Sequence, residues 1–284
     1  MEYLPGVYLY TPPEGEPAPS IFDVPRSGRE YPPGFHSTAP FADVHFLVSH
    51  YVEELWALAP KSGSGLLYAT FVNNFIDANR SEHDIDPEVL NEPWPDRIAP
   101  SEKTQSIGMG LIHSRARGHR LYPEGLTVAE VKRRIENYWR PYHDRLSGLL
   151  AERRAASGIA YHLSCHCMTS IGPAHAHDTG QRRKDFCLSD RHGTTSSREF
   201  IEMIAESLRK RGYSVTFNDP FVGAESVRLH SDPANGIHSV QIETIKEIFM
   251  DDYTFVKRPD FDRIQQDMGE VAAEIAAYAR GQAS

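Results

Sequence analysis

Residues 158–165 read Gly-Ile-Ala-Tyr-His-Leu-Ser-Cys (GIAYHLSC), an apolar run with strand character that ends at His166 and lies between two helical patterns. On its N-terminal side Thr127 and Glu130 form a Thr-x-x-Glu capping box. Behind it Val128, Val131, Ile135, Tyr138, Tyr142, Leu146 and Leu149 recur at helical spacing, with a kink predicted at Pro141. On its C-terminal side Ser196 and Glu199 form a second box, leading a helix through Ile204 and Leu208 to Gly212. Working outward, strands are predicted at 20–24 (SIFDV), 65–76 (GLLYATFVNNFI), 106–114 (SIGMGLIHS), 213–217 (YSVTF) and 237–242 (IHSVQI). An amphipathic helix is predicted over Asp43–Leu58 and a last one after Pro259, carrying Phe261, Ile264, Met268, Val271 and Ile275. Pro87–Gln105, with four prolines and no period, reads as a long loop. Strands alternate with helices and neither a repeat nor a composition break intervenes. The expectation is one α/β domain over 1–284, a mixed, mostly parallel sheet covered by helices on both faces.

Composition narrows the function. Hydrophobic residues at 40% and charged residues at 24% are ordinary for a globular chain, and 284 residues can bury a core without staples. A net charge of −9 argues against nucleic acid as the main partner, because phosphate binding needs concentrated Lys and Arg. Cys165, Cys167 and Cys187 are odd in number and do not form a disulfide pattern. Met1–Gly15 has no basic segment followed by an apolar one, and no apolar run approaches a membrane span. The expected setting is a reduced cytoplasm, with a small molecule as partner.

Four clusters could carry chemistry. His162, His166, His175, His177 and His192 gather around Cys165 and Cys167; strand alternation puts the two cysteines on one face and His166 on the other. Incidental polar positions explain that cluster equally well. Asp77, Asn79 and Arg80 end an apolar run, where Arg80 offers a fork for a carboxylate, or simply an ion pair with Asp84 or Asp86. Glu243 follows IHSVQI, where burial would raise its pKa toward that of a general base; a capping or ion-pair role is the plain alternative. Asp190–Ser197, DRHGTTSS, feeds a helix N-terminus that with Arg191 could bind an anion, or could only cap.

Taken together, IFDVPRSGREYP (21–32), FIDANRSEHDIDP (75–87), GMGLIH (108–113), YWRPYHDRL (138–146), HLSCHCM (162–168), KDFCLSDRHGTTSS (184–197), GYSVTFNDPFVG (212–223) and HSVQIETIKEIFMDD (238–252) resemble the N-formylglutamate amidohydrolase family. The resemblance implies a three-layer, phosphorylase/hydrolase-like α/β fold related to zinc carboxypeptidases, in which a zinc-bound water attacks an amide carbonyl. It makes His166 the counterpart of a metal-binding histidine, Glu243 of the catalytic glutamate, and Asn79 with Arg80 of the pair that holds the substrate carboxylate. Arg191 falls in the family's Gly-Asp-Arg-x-Gly-Thr segment.

Two departures stand out. The family's Pro-His-Ser-Gly is Pro25-Arg26-Ser27-Gly28 here, and another expected ligand position holds Ser49. Catalytic zinc needs three protein ligands and an open position, and an arginine repels the cation. Three readings stay open: a zinc site rebuilt from His166 with Glu30, His45 or His50; a metal-free amide hydrolase in which Arg26 stabilises the oxyanion and His166 and Glu243 activate water, on this or a different, even cyclic, amide; and a non-catalytic protein that binds a small carboxylate.

Overall fold

The computed structural model describes residues 1–283. Its centre is an eight-stranded sheet in the order β1-β2-β4-β3-β7-β10-β8-β9. The strands are β1 (Glu2–Leu4), β2 (Tyr8–Thr11), β3 (Ser20–Val24), β4 (Gly65–Ala69), β7 (Ala160–Met168), β8 (Phe186–Ser189), β9 (Val215–Phe217) and β10 (Ile237–Ile245); β5 (Arg115–Ala116) and β6 (His119–Arg120) form a separate hairpin. The middle of the sheet, β4-β3-β7-β10, is parallel, and antiparallel pairs flank it. All four middle strands therefore end at one edge, where α/β sheets carry their sites.

Strand alternation divides the sheet into two unlike faces. Phe22, Val24, Tyr161, Leu163, Cys165, Val240 and Ile242 point to one side and pack under α2 (Val52–Leu55), α6 (Arg198–Lys210) and α8 (Phe261–Gly281). The opposite side carries Ile21, Leu67, Ala69 and Ala160, covered by α4 (Val128–Arg134) and α5 (Arg140–Ser157). On that second face the middle strands turn polar: Asp23, His162, Ser164, His166, Ser239, Gln241 and Glu243 are all buried there. Helices on both faces make the three layers expected from the sequence.

Several boundaries differ from the sequence reading, each for a tertiary reason. The helix expected over 43–58 is cut into α1 (Phe41–Phe46) and α2, because Ser49 donates its N–H to the Arg26 carbonyl at 3.0 Å and Tyr51 sits at φ 63°. The 65–76 strand stops at Ala69, beyond which Asn73 and Asn74 donate to the Leu47 and Val44 carbonyls. The strand expected over 106–114 is a packed turn, anchored by Leu111 N–H to the Asp84 carbonyl at 2.7 Å. The expected 87–105 loop hides α3 (Glu102–Ile107), capped by Ser101 and ended by Gly108 at φ 72°. The second helix is capped by Ser197 rather than Ser196. At Pro141 the chain takes a π turn over Ile135–Trp139, with Arg140 N–H bonded back to the Ile135 carbonyl; this absorbs the donor that proline lacks.

Candidate active site

The loop after β3 brings Arg26 to the sheet edge because Gly28 lies hard against the backbone after β4: a Cβ there would be 2.2 Å from the Phe71 carbonyl oxygen. Glu30 N–H bonds the Thr70 carbonyl and Val72 N–H the Glu30 carbonyl, fixing the two loops side by side. Arg26 then reaches Asp77 at 3.3 Å. Asp77 also accepts from His113 Nε2 at 3.1 Å and from the Asn79 N–H at 2.9 Å. Burial would raise the pKa of its carboxyl, but Arg26 and His113 more than offset this and hold it well below the usual carboxylate range.

Asn79 fixes His166. Its Oδ1 accepts the Ser226 N–H at 2.8 Å, so its Nδ2 must face the other way, donating to His166 Nε2 at 3.2 Å and to Gln241 Oε1 at 3.4 Å. The ring nitrogen receiving that bond carries no proton, which assigns the proton of neutral His166 to Nδ1. Burial, followed by the nearby Arg26 charge, lowers the His166 pKa to about 3, so the ring is neutral at ordinary pH.

Beneath His166, Ser164 Oγ lies 3.1 Å from both Nε2 and Asp23 Oδ2, with one hydroxyl proton to donate between them. Asp23 is fully buried and also meets Tyr142, Ser226 and His162. Burial opposes its charge, but these donors prevail and bring its pKa down to about 2.

Glu243 pairs in register with His166 on the neighbouring strand. It lies within β10, not after a strand ending at 242. Gln241 Nε2 donates to its Oε1 at 3.0 Å, while its buried Oε2 has no protein partner. Burial pushes its pKa up to about 7, against the pull of Lys103, Arg26, Arg183 and Arg80. Arg80 donates Nε to the Met109 carbonyl at 2.8 Å and lies 3.9 Å from Asp84, leaving its terminal fork for another partner.

Arg26, Asn79, Arg80, His166 and Glu243 therefore converge. The other expected residues do not join them. Glu30 is exposed, and its carboxylate faces the Tyr3 hydroxyl at 3.4 Å rather than His166. His45 bonds Tyr31 and His50 bonds the His45 carbonyl within an aromatic cluster with Phe255. Arg191 binds the Gly223 carbonyl at 3.0 Å and so holds the 221–224 loop. The α6 N-terminus is closed by Ser197 and meets His238 at the opposite end of β10 from Glu243, so the anion site considered for 190–197 is filled by the protein itself. Ser49 gives its backbone N–H to the Arg26 carbonyl, and its side chain meets Cys167.

The donors around His166 are an amide, a hydroxyl and a guanidinium, which is not a zinc set. Among the described residues no group of three or more His, Cys, Asp or Glu side chains is arranged to hold a metal ion. The sequence reading missed Asp23, His113, Gln241 and Lys103. Gln241 was visible in the Gln-x-Glu pattern, and α3, which carries Lys103, was marked by Ser101 and Gly108 at its ends.

The N-formylglutamate amidohydrolase family profile matches residues 18–250. The chain is 29% identical to an N-formylglutamate deformylase of Pseudomonas putida over 71% of its own length and 70% of the relative's. It is 26% identical to one of Pseudomonas aeruginosa over 81% and 82%. A crystal structure of an N-formylglutamate amidohydrolase from Ralstonia eutropha JMP134 superposes with a TM-score of 0.91 at 34% identity, covering 97% of this chain and 99% of that one. With the fold, the strand-end site and these relatives in agreement, the chain belongs to the N-formylglutamate amidohydrolase family.

Proposed function

We propose that the chain hydrolyses the amide C–N bond of an N-formylglutamate-like substrate, a small carboxylate-bearing acyl amino acid, and that it does so without a metal. One observation carries the reading: Arg26 occupies the position expected for a metal ligand, and beside it Glu243 keeps a buried carboxylate oxygen unpartnered. Burying an unsatisfied carboxylate oxygen costs stability and gives the fold nothing in return, which fits a group kept for chemistry.

In this reading a water at Glu243 Oε2 gives its proton to the carboxylate as its oxygen adds to the formyl carbon. The carbonyl electron pair moves onto oxygen, where Arg26 and the Nδ1–H of His166 stabilise it. When the C–N bond breaks, Glu243 passes the proton to the departing nitrogen. The products are formic acid, which ionises to formate, and the free amine. Arg80 grips a substrate carboxylate, and Asn79 keeps His166 in the donating tautomer.

The test is formate release from N-formyl-L-glutamate by protein stripped with a chelator and checked by elemental analysis. Activity is expected to survive stripping, and Arg26→Leu to lower kcat by about 100-fold or more. Loss of activity on stripping with recovery on adding zinc would overturn the metal-free mechanism.

A further inference from the structure

Behind the site, the segment YWRPYHDRL (138–146) turns two ring N–H donors toward the backbone that carries Asn79. Trp139 Nε1 donates to the Arg80 carbonyl at 2.9 Å. One helical turn on, His143 Nε2 donates to the Ala78 carbonyl at 2.8 Å. These carbonyls on either side of Asn79 face a helix whose own N–H groups are committed to its backbone, so side chains have to satisfy them.

The Ala78 bond gives a buried chain of hydrogen bonds its direction. Burial is the largest cause acting on His143 and His230; it lowers both pKa values, that of His143 to about 4, and keeps the rings neutral. A carbonyl only accepts, so the one proton of His143 sits on Nε2 and its Nδ1 is an acceptor. His230 Nε2 lies 2.7 Å from that Nδ1 and is therefore the donor, which leaves His230 Nδ1 to accept from the Ser147 hydroxyl at 3.3 Å.

The far end of this chain returns to Asn79. His230 follows α7 (Glu225–Leu229), and its N–H bonds the Ser226 carbonyl at 3.1 Å. The Ser226 N–H in turn holds Asn79 Oδ1 at 2.8 Å. His143 thus fixes the carbonyl that precedes Asn79 and, through His230 and Ser226, the partner of its side chain. The Asn79 Nδ2 is left facing His166 Nε2 at 3.2 Å.

We infer that His143 is a positioning residue for the reaction: without touching substrate, it holds the Asn79 amide in the orientation that presents a donor to His166. The inference rests on the proposed hydrolysis for its activity readout, but not for its spectroscopic one. A histidine with a structural role alone would satisfy one buried carbonyl. Here the same ring joins both anchors of the amide on which the His166 ring depends.

The experiment compares His143→Gln, whose amide can donate to Ala78 and accept from His230 as the imidazole does, with His143→Phe, which can do neither. The kcat for formate release is measured per folded molecule, with the folded fraction read from thermal melting. His143→Phe should lower it by about 10- to 100-fold, and His143→Gln should restore most of the loss. Equal losses in the two variants, or a loss accounted for by unfolded protein, overturn the inference. The second readout is the ring-nitrogen chemical shifts of His166, assigned by their disappearance in His166→Gln. Wild type should show one tautomer with Nε2 unprotonated, and His143→Phe a mixture. A mixture in wild type, or an unchanged single tautomer in His143→Phe, overturns the inference. Should His143→Phe not fold, His230→Leu replaces it in both readouts, since it keeps the Ala78 bond and removes only the link to α7; values equal to wild type then overturn the inference. If wild type releases no formate, the hydrolase reading falls, and the His166 shifts alone decide for or against the role of His143.

Discussion

At the scale of single residues, environment assigned the roles that residue type left open. Glu243 and His166 are register neighbours, yet burial acts on them in opposite senses: it raises the carboxyl pKa to about 7 and lowers the imidazole pKa to about 3. Glu243 is thus the group that changes charge near neutrality, and His166 stays neutral. For the free enzyme, kcat/KM should fall below about pH 7 as Glu243 takes up a proton, with no inflection from histidine. Glu243→Gln should lower kcat by about 100-fold or more and abolish that acid limb. A pH–rate profile that keeps the limb in the variant assigns it to another group. The sequence reading offered His166 as ligand or base, and the structure adds an Asn79 hydrogen bond at its Nε2. That depends on the orientation of one amide, fixed by the Ser226 N–H from a distant helix, α7 (Glu225–Leu229), so sequence spacing carried no trace of it.

At the scale of elements, apolar periodicity located β3, β7, β10, α6 and α8 well, because each buries a regular face. It failed where polar contacts override the local pattern. The run 43–58 has helical spacing, but the Ser49 N–H that a helix would use is captured by the Arg26 carbonyl, and the His50 ring takes the His45 carbonyl. The site needs that interruption, since it holds the Arg26 loop in place. Gly28 is the other constraint on this loop. Gly28→Ala would thrust a methyl into the backbone at Thr70 and Phe71, displacing Arg26 from Asp77. We expect a loss of roughly 1–3 kcal/mol in stability, read by thermal melting, with kcat falling further than the loss of folded protein explains. A variant with wild-type melting and kcat would show that the close approach does not matter.

At the scale of the whole molecule, the sheet has an apolar face and a face with a polar centre, and the polar centre is held together by Asp23. Four side chains, Tyr142, His162, Ser164 and Ser226, converge on its carboxylate from α5, β7 and α7. Asp23→Ala would strand these buried groups and should cost roughly 3–5 kcal/mol, measurable by thermal or denaturant unfolding. The pH dependence follows from the sign of the shift. The Asp23 pKa is depressed to about 2 in the fold, so its contribution is fully present above the unfolded carboxyl value and is lost as pH falls through about 2. Wild type should lose this part of its stability under acid, and the Ala variant should show a flatter acid profile; parallel profiles would count against it. Among the described residues no helix is long and apolar enough to cross a membrane, in line with a fold whose apolar surface is spent on two internal layers.

The sequence by itself determined the fold class and the main strands and helices around 158–165, and its ordered motifs pointed to the family and, through that resemblance, to Arg26, Asn79, Arg80, His166 and Glu243. Those follow from periodicity and ordered motifs, which are local properties of the chain. Only the tertiary structure decided that Glu30, His45, His50 and Arg191 stand apart from the His166 cluster, and that Asn79 reaches the His166 ring. Each of these depends on contacts between segments tens of residues apart. There burial and hydrogen-bond direction, rather than residue identity, set what a side chain can do.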